Sequence, residues 1–316
     1  MPDYWTILGL MLPVYGIIAV GVITRRVGIL AAEAEQSLTR VLINVLFPCL
    51  ALDKIVGNAA LRDPRNVVIP PAVGFLTVCL GYLVGNLVGR VALRGSDVTR
   101  RTFAFTSGTY NYGYVPLPLA MSLFGDATVG VLFVHNVGVE LALWTVGLIT
   151  LTGGTRQLGW RALVSAPLVS IVVGLVLNAV EARPHVPHFV WTLLGMLGAC
   201  AIPLALMLIG AVAHDHVGQA RGDGARVRVP VAAVVVRLLI LPALFLLGAR
   251  FLLRGHHELT RVVALQAAMP AAMFPVVMTR HYGGDVGTAL RVVLWTSLLS
   301  LVTAPWWIDA GLSLLR

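Results

Sequence analysis

Charge is scarce in this sequence. Asp, Glu, Lys and Arg make up 12% of the 316 residues, whereas 58% are hydrophobic. A soluble globular domain carries about 25% charged residues, so this composition indicates a protein built for a lipid bilayer. The net charge of +9 comes almost entirely from arginine, and Lys54 is the only lysine. Because the arginines fall mostly in short connections, they indicate membrane orientation rather than nucleic-acid binding.

Cysteine is also rare, and the usual motifs of soluble chemistry are missing. The three cysteines lie in apolar runs, with neither metal-ligand spacing nor the even count of a disulfide framework. The sequence has no Walker loop, dinucleotide fingerprint, HExxH motif or GxSxG motif. We therefore expect no enzyme activity, no cofactor, no metal site and no ATP-driven transport by this chain alone.

Long apolar runs dominate the sequence instead. Counted against the roughly 20 residues that a membrane-spanning helix needs, about ten runs qualify. They cover residues 5–24, 38–56, 67–89, 102–123, 128–150, 162–180, 190–213, 229–249, 259–279 and 288–310. We predict an all-α, multi-pass protein of the inner (cytoplasmic) cell membrane. The odd-numbered connections carry more arginine than the rest, which places both termini outside the cytoplasm.

An internal repeat indicates two halves, residues 1–155 and 156–316. Pro118 and Asp126 recur as Pro275 and Asp285, at a nearly constant offset. Halves of five spans each must have opposite orientations in the membrane, as in inverted-repeat carriers. Chance similarity between Leu- and Ala-rich helices is the alternative.

The fourth and ninth spans are both interrupted by proline. Pro116 and Pro118 interrupt the fourth, and Pro270 and Pro275 interrupt the ninth. A broken helix frees backbone groups that only a protein-lined cavity can satisfy in a membrane, and paired breaks in two halves indicate a transporter's binding site. A simple kink is the alternative for either break alone.

Polar residues beside these breaks are the candidate binding residues. Asn111 and Gly113 precede the first break, and Gln266 precedes the second. The N-terminal end of a half-helix is partly positive and suits an anion, and Asn111 could donate a hydrogen bond to a carboxylate. Asn111 could instead cap the half-helix, or do both.

Span five and its surroundings hold the candidate coupling residues for protons or sodium. Asn136 and Glu140 are four residues apart and share a helix face, while His135 points elsewhere. A carboxylate inside a membrane is a functional hypothesis by default, although Glu140 could simply be neutral and hydrogen-bonded. Asp53, at the end of span two, is a further candidate, or a partner of Lys54 or Arg62 at the membrane rim.

Two further features have structural interpretations. Arg237 lies about two turns inside span eight, where we expect it to extend toward the membrane surface and pair with a lipid head group; attraction of an anionic substrate is the alternative. Gly81, Gly85 and Gly89 form a face on span three that suits close helix packing, either for assembly of the bundle or for a homodimer.

The two interrupted segments resemble the auxin efflux carrier family, which includes bacterial members beside the plant PIN proteins, within the bile/arsenite/riboflavin transporter superfamily. The similarity lies in Asn111–Pro118 with the following Phe-Gly, and in Met269–Pro275 with a later Tyr-Gly. It implies ten helices in two inverted repeats, with broken helices four and nine crossing near the membrane centre. One subdomain would be scaffold or dimer contact, and the other would move.

The resemblance also implies a substrate class, because members of this family carry organic anions such as auxin, malate or malonate. One departure is that Pro116 occupies the usual glycine position. We therefore predict a secondary transporter that moves a small carboxylate by alternating access. The alternative is a non-transporting membrane receptor that binds a small carboxylate and signals to a partner.

Overall fold

The computed structural model describes residues 3–154, 165–217 and 227–314, and this part of the chain is almost entirely helical. The helices before residue 155 are α1 (Tyr4–Arg26), α2 (Ala32–Val41), α3 (Phe47–Ile55), α4 (Arg65–Ala92), α5 (Asp97–Gly108), α6 (Pro116–Leu123), α7 (Asp126–Ala142) and α8 (Leu148–Thr152). Those after residue 164 are α9 (Ala166–Ala179), α10 (His188–Val217), α11 (Arg228–Val235), α12 (Leu241–Leu252), α13 (His257–Ala268), α14 (Phe274–His281) and α15 (Val286–Leu314).

Six helical stretches are long and apolar enough to cross a membrane, and α9 is a shorter apolar helix. The six are Tyr4–Arg26, Arg65–Ala92, Asp126–Thr152, His188–Asp215, Arg228–Leu252 and Val286–Leu314. They confirm the all-α, multi-pass membrane class. The count of ten spans and their inverted arrangement stay predictions. The expected boundary between the halves, at 155/156, lies outside the described residues.

Helices are interrupted at both proline-rich segments. α5 ends at Gly108 and α6 begins at Pro116, while α13 ends at Ala268 and α14 begins at Phe274. Proline lacks a backbone N–H, and it disfavours the helical conformation of the residue before it. It is tolerated in the first turn of a helix, which is where both half-helices carry one.

The two Gly-Asp turns begin the helices that follow the breaks. Gly125 has a φ of 77° and precedes α7 at Asp126. Gly283 has a φ of 73°, and the Asp285 carboxylate accepts a hydrogen bond from the Thr288 backbone N–H at 3.0 Å, at the start of α15. Left-handed backbone favours glycine, and an acid suits a helix N-terminus. The recurring turns are therefore helix-start signals.

The glycine face of α4 packs within the chain. α4 lies against α5 and α7, and a Cβ atom added at Gly85 would lie 2.9 Å from the Ala104 Cα of α5. At Gly81 an added Cβ would meet the backbone of Gly108. These glycines let two helix backbones approach closely. These glycines therefore do not form a free face for a homodimer. The homodimer stays a prediction, and these residues do not support it.

Candidate functional site

The interrupted segments cross each other and satisfy each other's backbone. Tyr110 pairs with Ala271 in a short antiparallel bridge. Around it, the Asn111 N–H donates to the Pro270 carbonyl at 2.7 Å, and the Ala272 N–H donates to the Thr109 carbonyl at 2.9 Å. Peptide groups freed by the breaks must be paired when water is excluded. The crossing provides that pairing between two segments far apart in the sequence.

A cavity of about 280 Å³ lies against the crossing. Its lining includes Asn111–Tyr114 and Leu117 at the start of α6, and Ala272–Phe274 at the start of α14. The remaining lining residues are Ile43, Phe47, Ala51, Phe133, Asn136, Glu140, Trp144, Ser165, Pro167 and Ile171. A mostly apolar cavity with a few convergent polar groups is typical of a small-molecule site. None of the described lining residues is Arg, Lys or His.

Asn111 accepts a hydrogen bond just ahead of α6 and faces the cavity. Its Oδ1 atom accepts a hydrogen bond from the Val115 N–H at 3.4 Å, and its side chain lines the cavity. The Asn111 Nδ2 group has no hydrogen bond within the described part of the chain, so it is available as a donor. Gly113 lines the same cavity, and a Cβ atom there would meet nothing within 4 Å.

The four predicted prolines shape the crossing but do not line the cavity. Pro116 and Pro118 lie in the first turn of α6, and Pro275 lies in that of α14. Pro270 lies in the crossing, where its carbonyl accepts from Asn111. Proline in a first turn has no N–H to offer an anion, so each half-helix presents fewer amide donors than a proline-free helix start.

Asn136 and Gln266 hold the first crossing segment from two sides. The Tyr112 carbonyl accepts from Asn136 Nδ2 at 2.8 Å and from Gln266 Nε2 at 3.1 Å. Gln266 Nε2 also donates to Asn136 Oδ1 at 3.2 Å. This three-bond cluster, which we call the Tyr112 clamp, joins α7, α13 and the first crossing segment beside the cavity.

The candidate coupling residues separate into different environments. Glu140 lines the cavity, and its Oε2 atom accepts from the Ser165 hydroxyl at 3.5 Å. His135 is fully buried, and neither ring nitrogen has a hydrogen bond in the described part of the chain. Asp53 pairs with Lys54 at 3.2 Å, away from the cavity, and Lys54 also pairs with Asp126. The structure therefore brings Asn136 and Glu140, but not His135 or Asp53, to the cavity.

Arg237 does not extend to the membrane surface, so that expectation was wrong. It is fully buried, with its guanidinium 5.3 Å from the ring centres of both Tyr110 and Phe245. Its only described hydrogen bond goes to the Ala267 carbonyl, at 3.1 Å in the last turn of α13. A cation suits a helix C-terminus. Arg237 thus holds the end of α13 and the Tyr110 ring together behind the crossing.

Several residues that shape the site were not predicted from the sequence. Phe47, Trp144 and Phe274 bring aromatic rings to the cavity from three separate helical stretches. Trp144 lies in a one-turn π-helical segment, Leu143–Gly147, and Arg237 lies in another, Val236–Ile240. Such turns occur often at functional sites, but hydrophobic patterning does not reveal them. Ser165 carried a signal, because serine before Ala-Pro is a typical helix start.

Comparison with known proteins places the chain among membrane transport proteins. The family model described as membrane transport protein matches residues 6–158 and 154–308. An "Uncharacterized transporter" of Methanothermobacter thermautotrophicus is 27% identical over 304 residues, covering 94% of this chain and 96% of that protein. Another uncharacterized transporter, from Methanocaldococcus jannaschii, is 22% identical and covers 92% of this chain and 94% of that protein. A "Putative malonate transporter" of Rhizobium meliloti is 24% identical over 314 residues, covering 94% of this chain and 93% of that protein.

Proposed function

The chain belongs to the membrane transport protein family, that of the auxin efflux carriers, and we propose that it is a secondary carrier of a small organic carboxylate. The family and the matched relatives are transporters, not enzymes.

The cavity at the crossing is the observation that carries the proposal. Two half-helices, α6 and α14, begin at its wall, and the start of a helix favours negative charge. Asn111 Nδ2 adds a free donor at the same place. The aromatic lining then takes the apolar body of the substrate, while the helix starts and Asn111 take its carboxylate. The name of the Rhizobium relative, a malonate transporter, supports the carboxylate class.

Alternating access requires that the two crossing segments move relative to the rest of the bundle. We propose ten spans in two inverted halves, 1–155 and 156–316. We further propose that the protein lies in the inner cell membrane, with both termini outside the cytoplasm. The matching breaks and the matching Gly-Asp helix starts support this arrangement. Rocking of one subdomain, as a monomer or within a homodimer, would expose the cavity to each side in turn.

We also propose candidate residues for coupling transport to protons or sodium. Glu140 and Asn136 line the cavity, so an ion there would contact the substrate site directly. His135 and Asp53 lie outside it and would act only through neighbouring residues.

The test is uptake by the purified protein in liposomes, measured for a panel of radiolabelled acids that includes malonate and phenylacetate. We expect at least one acid to accumulate above protein-free liposomes, and Asn111→Ala to abolish that uptake. Asn44→Ala is the matched control, because Asn44 is exposed and its side chain bonds only the Arg40 carbonyl in the described residues.

The outcomes separate the alternatives. Uptake that survives Asn111→Ala would keep the carrier but leave Asn111 with only a structural role ahead of α6. Absence of uptake for every acid, in protein that elutes as a folded species, would refute the proposal. Binding of an acid without any uptake would instead identify a receptor.

A further inference from the structure

Glu140 faces the proposed carboxylate site with no cation beside it among the described lining residues. The described residues that line the cavity include this one acid and no basic side chain. The nearest described lysine, Lys54, is paired with Asp53 and Asp126 instead. In a cavity of only about 280 Å³, a substrate carboxylate cannot lie far from Glu140.

The described residues that line the cavity around Glu140 are all neutral. Ser165 faces it from the start of α9, Tyr112 and Tyr114 from the first crossing segment, and Asn136 and Trp144 from its own helical stretch, while α3 contributes apolar Phe47 and Ala51. His135 precedes Asn136 on α7 but is buried with its ring 6.5 Å from that of Tyr110. No described group near Glu140 can therefore neutralise a second negative charge.

Glu140 has a favourable position when the cavity is empty. Ser165 is the N-cap of α9: its hydroxyl accepts from the Leu168 N–H at 3.3 Å and donates to Glu140. The carboxylate therefore lies at the positive end of a 14-residue helix. The positive helix starts of α6 and α14 face the same space. Among the described lining residues, Glu140 is the one acidic side chain that these helix starts face.

We propose that Glu140 binds one proton each time a substrate carboxylate enters the cavity, so that acid and proton move together and the step carries no net charge. This inference rests on the proposed function. Two carboxylates that share a site do not both stay ionised. The proton comes from solvent on the side where the substrate enters, resides on a Glu140 carboxyl oxygen, and leaves on the other side when the substrate leaves.

The inference also favours acids with one carboxylate. A dicarboxylate such as malonate would bring a second charge that the single proton on Glu140 does not offset. We therefore expect malonate to bind more weakly than phenylacetate, whose ring also matches the aromatic lining of Phe47, Phe133 and Trp144.

Titration calorimetry of phenylacetate binding to the purified wild-type chain is the direct test. Repeating the titration in phosphate and in Tris, buffers with different ionisation enthalpies, counts the protons taken up per acid bound. We expect the wild type to take up protons on binding, with a count that rises toward one as the pH is raised above neutral, because two coupled carboxyls then share one proton. Glu140→Gln should bind phenylacetate with no proton uptake, and Glu33→Gln, at an exposed residue of α2, should behave as the wild type.

Uptake under an imposed potassium diffusion potential gives the second measurement. Wild-type uptake should be insensitive to the potential, whereas Glu140→Gln uptake should respond to it, because the substrate charge then crosses alone. Binding without proton uptake by the wild type, or an unchanged proton count in Glu140→Gln, would overturn the inference while leaving the carrier intact. Neither binding nor uptake of any acid by folded wild type would refute the proposed function itself, and the inference with it.

Discussion

The Tyr112 clamp can be tested by a double-mutant cycle with Asn136→Leu and Gln266→Leu. The clamp contains three hydrogen bonds, and each single replacement removes two of them because the Asn136–Gln266 bond is shared. At about 1 kcal/mol of net stability per hydrogen bond, each single variant should lose about 2 kcal/mol and the double variant about 3 kcal/mol. The sum of the singles exceeds the double by about 1 kcal/mol, which is the coupling energy. Tyr112 lines the cavity, so water can replace its lost donors.

The assay is SDS-induced unfolding in mixed micelles, followed by tryptophan fluorescence, which yields the free energy of unfolding. Asn44→Leu is the control on the exposed surface and should change stability by less than about 0.5 kcal/mol. Both clamp variants should also lower uptake, because the Tyr112 carbonyl then loses its fixed place beside the cavity. Strict additivity of the two single effects would show that the bond between the two side chains is not formed, and the reasoning would fail.

Arg237→Met should leave the free energy of unfolding nearly unchanged. It loses the Ala267 hydrogen bond and two ring contacts, but it also removes a buried cation whose desolvation costs several kcal/mol. Its uptake should fall, because the end of α13 and the Tyr110 ring lose the side chain that joins them behind the crossing; normal uptake, or a large loss of stability, would contradict this. Gly85→Ala should cost about 1–3 kcal/mol by overpacking against Ala104. At Gly16 an added Cβ would meet nothing within 4 Å, so Gly16→Ala should gain about 0.5–1 kcal/mol of stability. Equal shifts in melting temperature for the two glycine variants would refute the packing account.

The breaks and helix starts could be predicted from sequence because their causes are local. Proline removes a backbone donor, and glycine before aspartate permits a sharp turn into a new helix. Both effects depend on the residues themselves and not on which helices become their neighbours. The shared face of Asn136 and Glu140 followed in the same way from helical spacing, and the structure places both at one cavity.

The depth of Arg237 and the partner of the glycine face could not be predicted, because both depend on which helices become neighbours. Hydropathy does not distinguish the lipid-facing side of a membrane helix from the side that faces the bundle, since lipid tails are as apolar as leucine. Arg237 is buried because Tyr110, Phe245 and Ala267 surround it. These three residues come from different parts of the sequence, and no local pattern joins them.

The most direct test of the central claim is substrate protection of a cysteine in the cavity. Gly113→Cys, in a chain whose Cys49, Cys79 and Cys200 are replaced by alanine, places a thiol where an added Cβ meets nothing within 4 Å. If the cavity at the crossing is the transport site, an acid that the protein carries will slow labelling of this thiol by a maleimide in proportion to its occupancy. Unchanged labelling at a saturating concentration of a transported acid would show that the acid binds and crosses elsewhere.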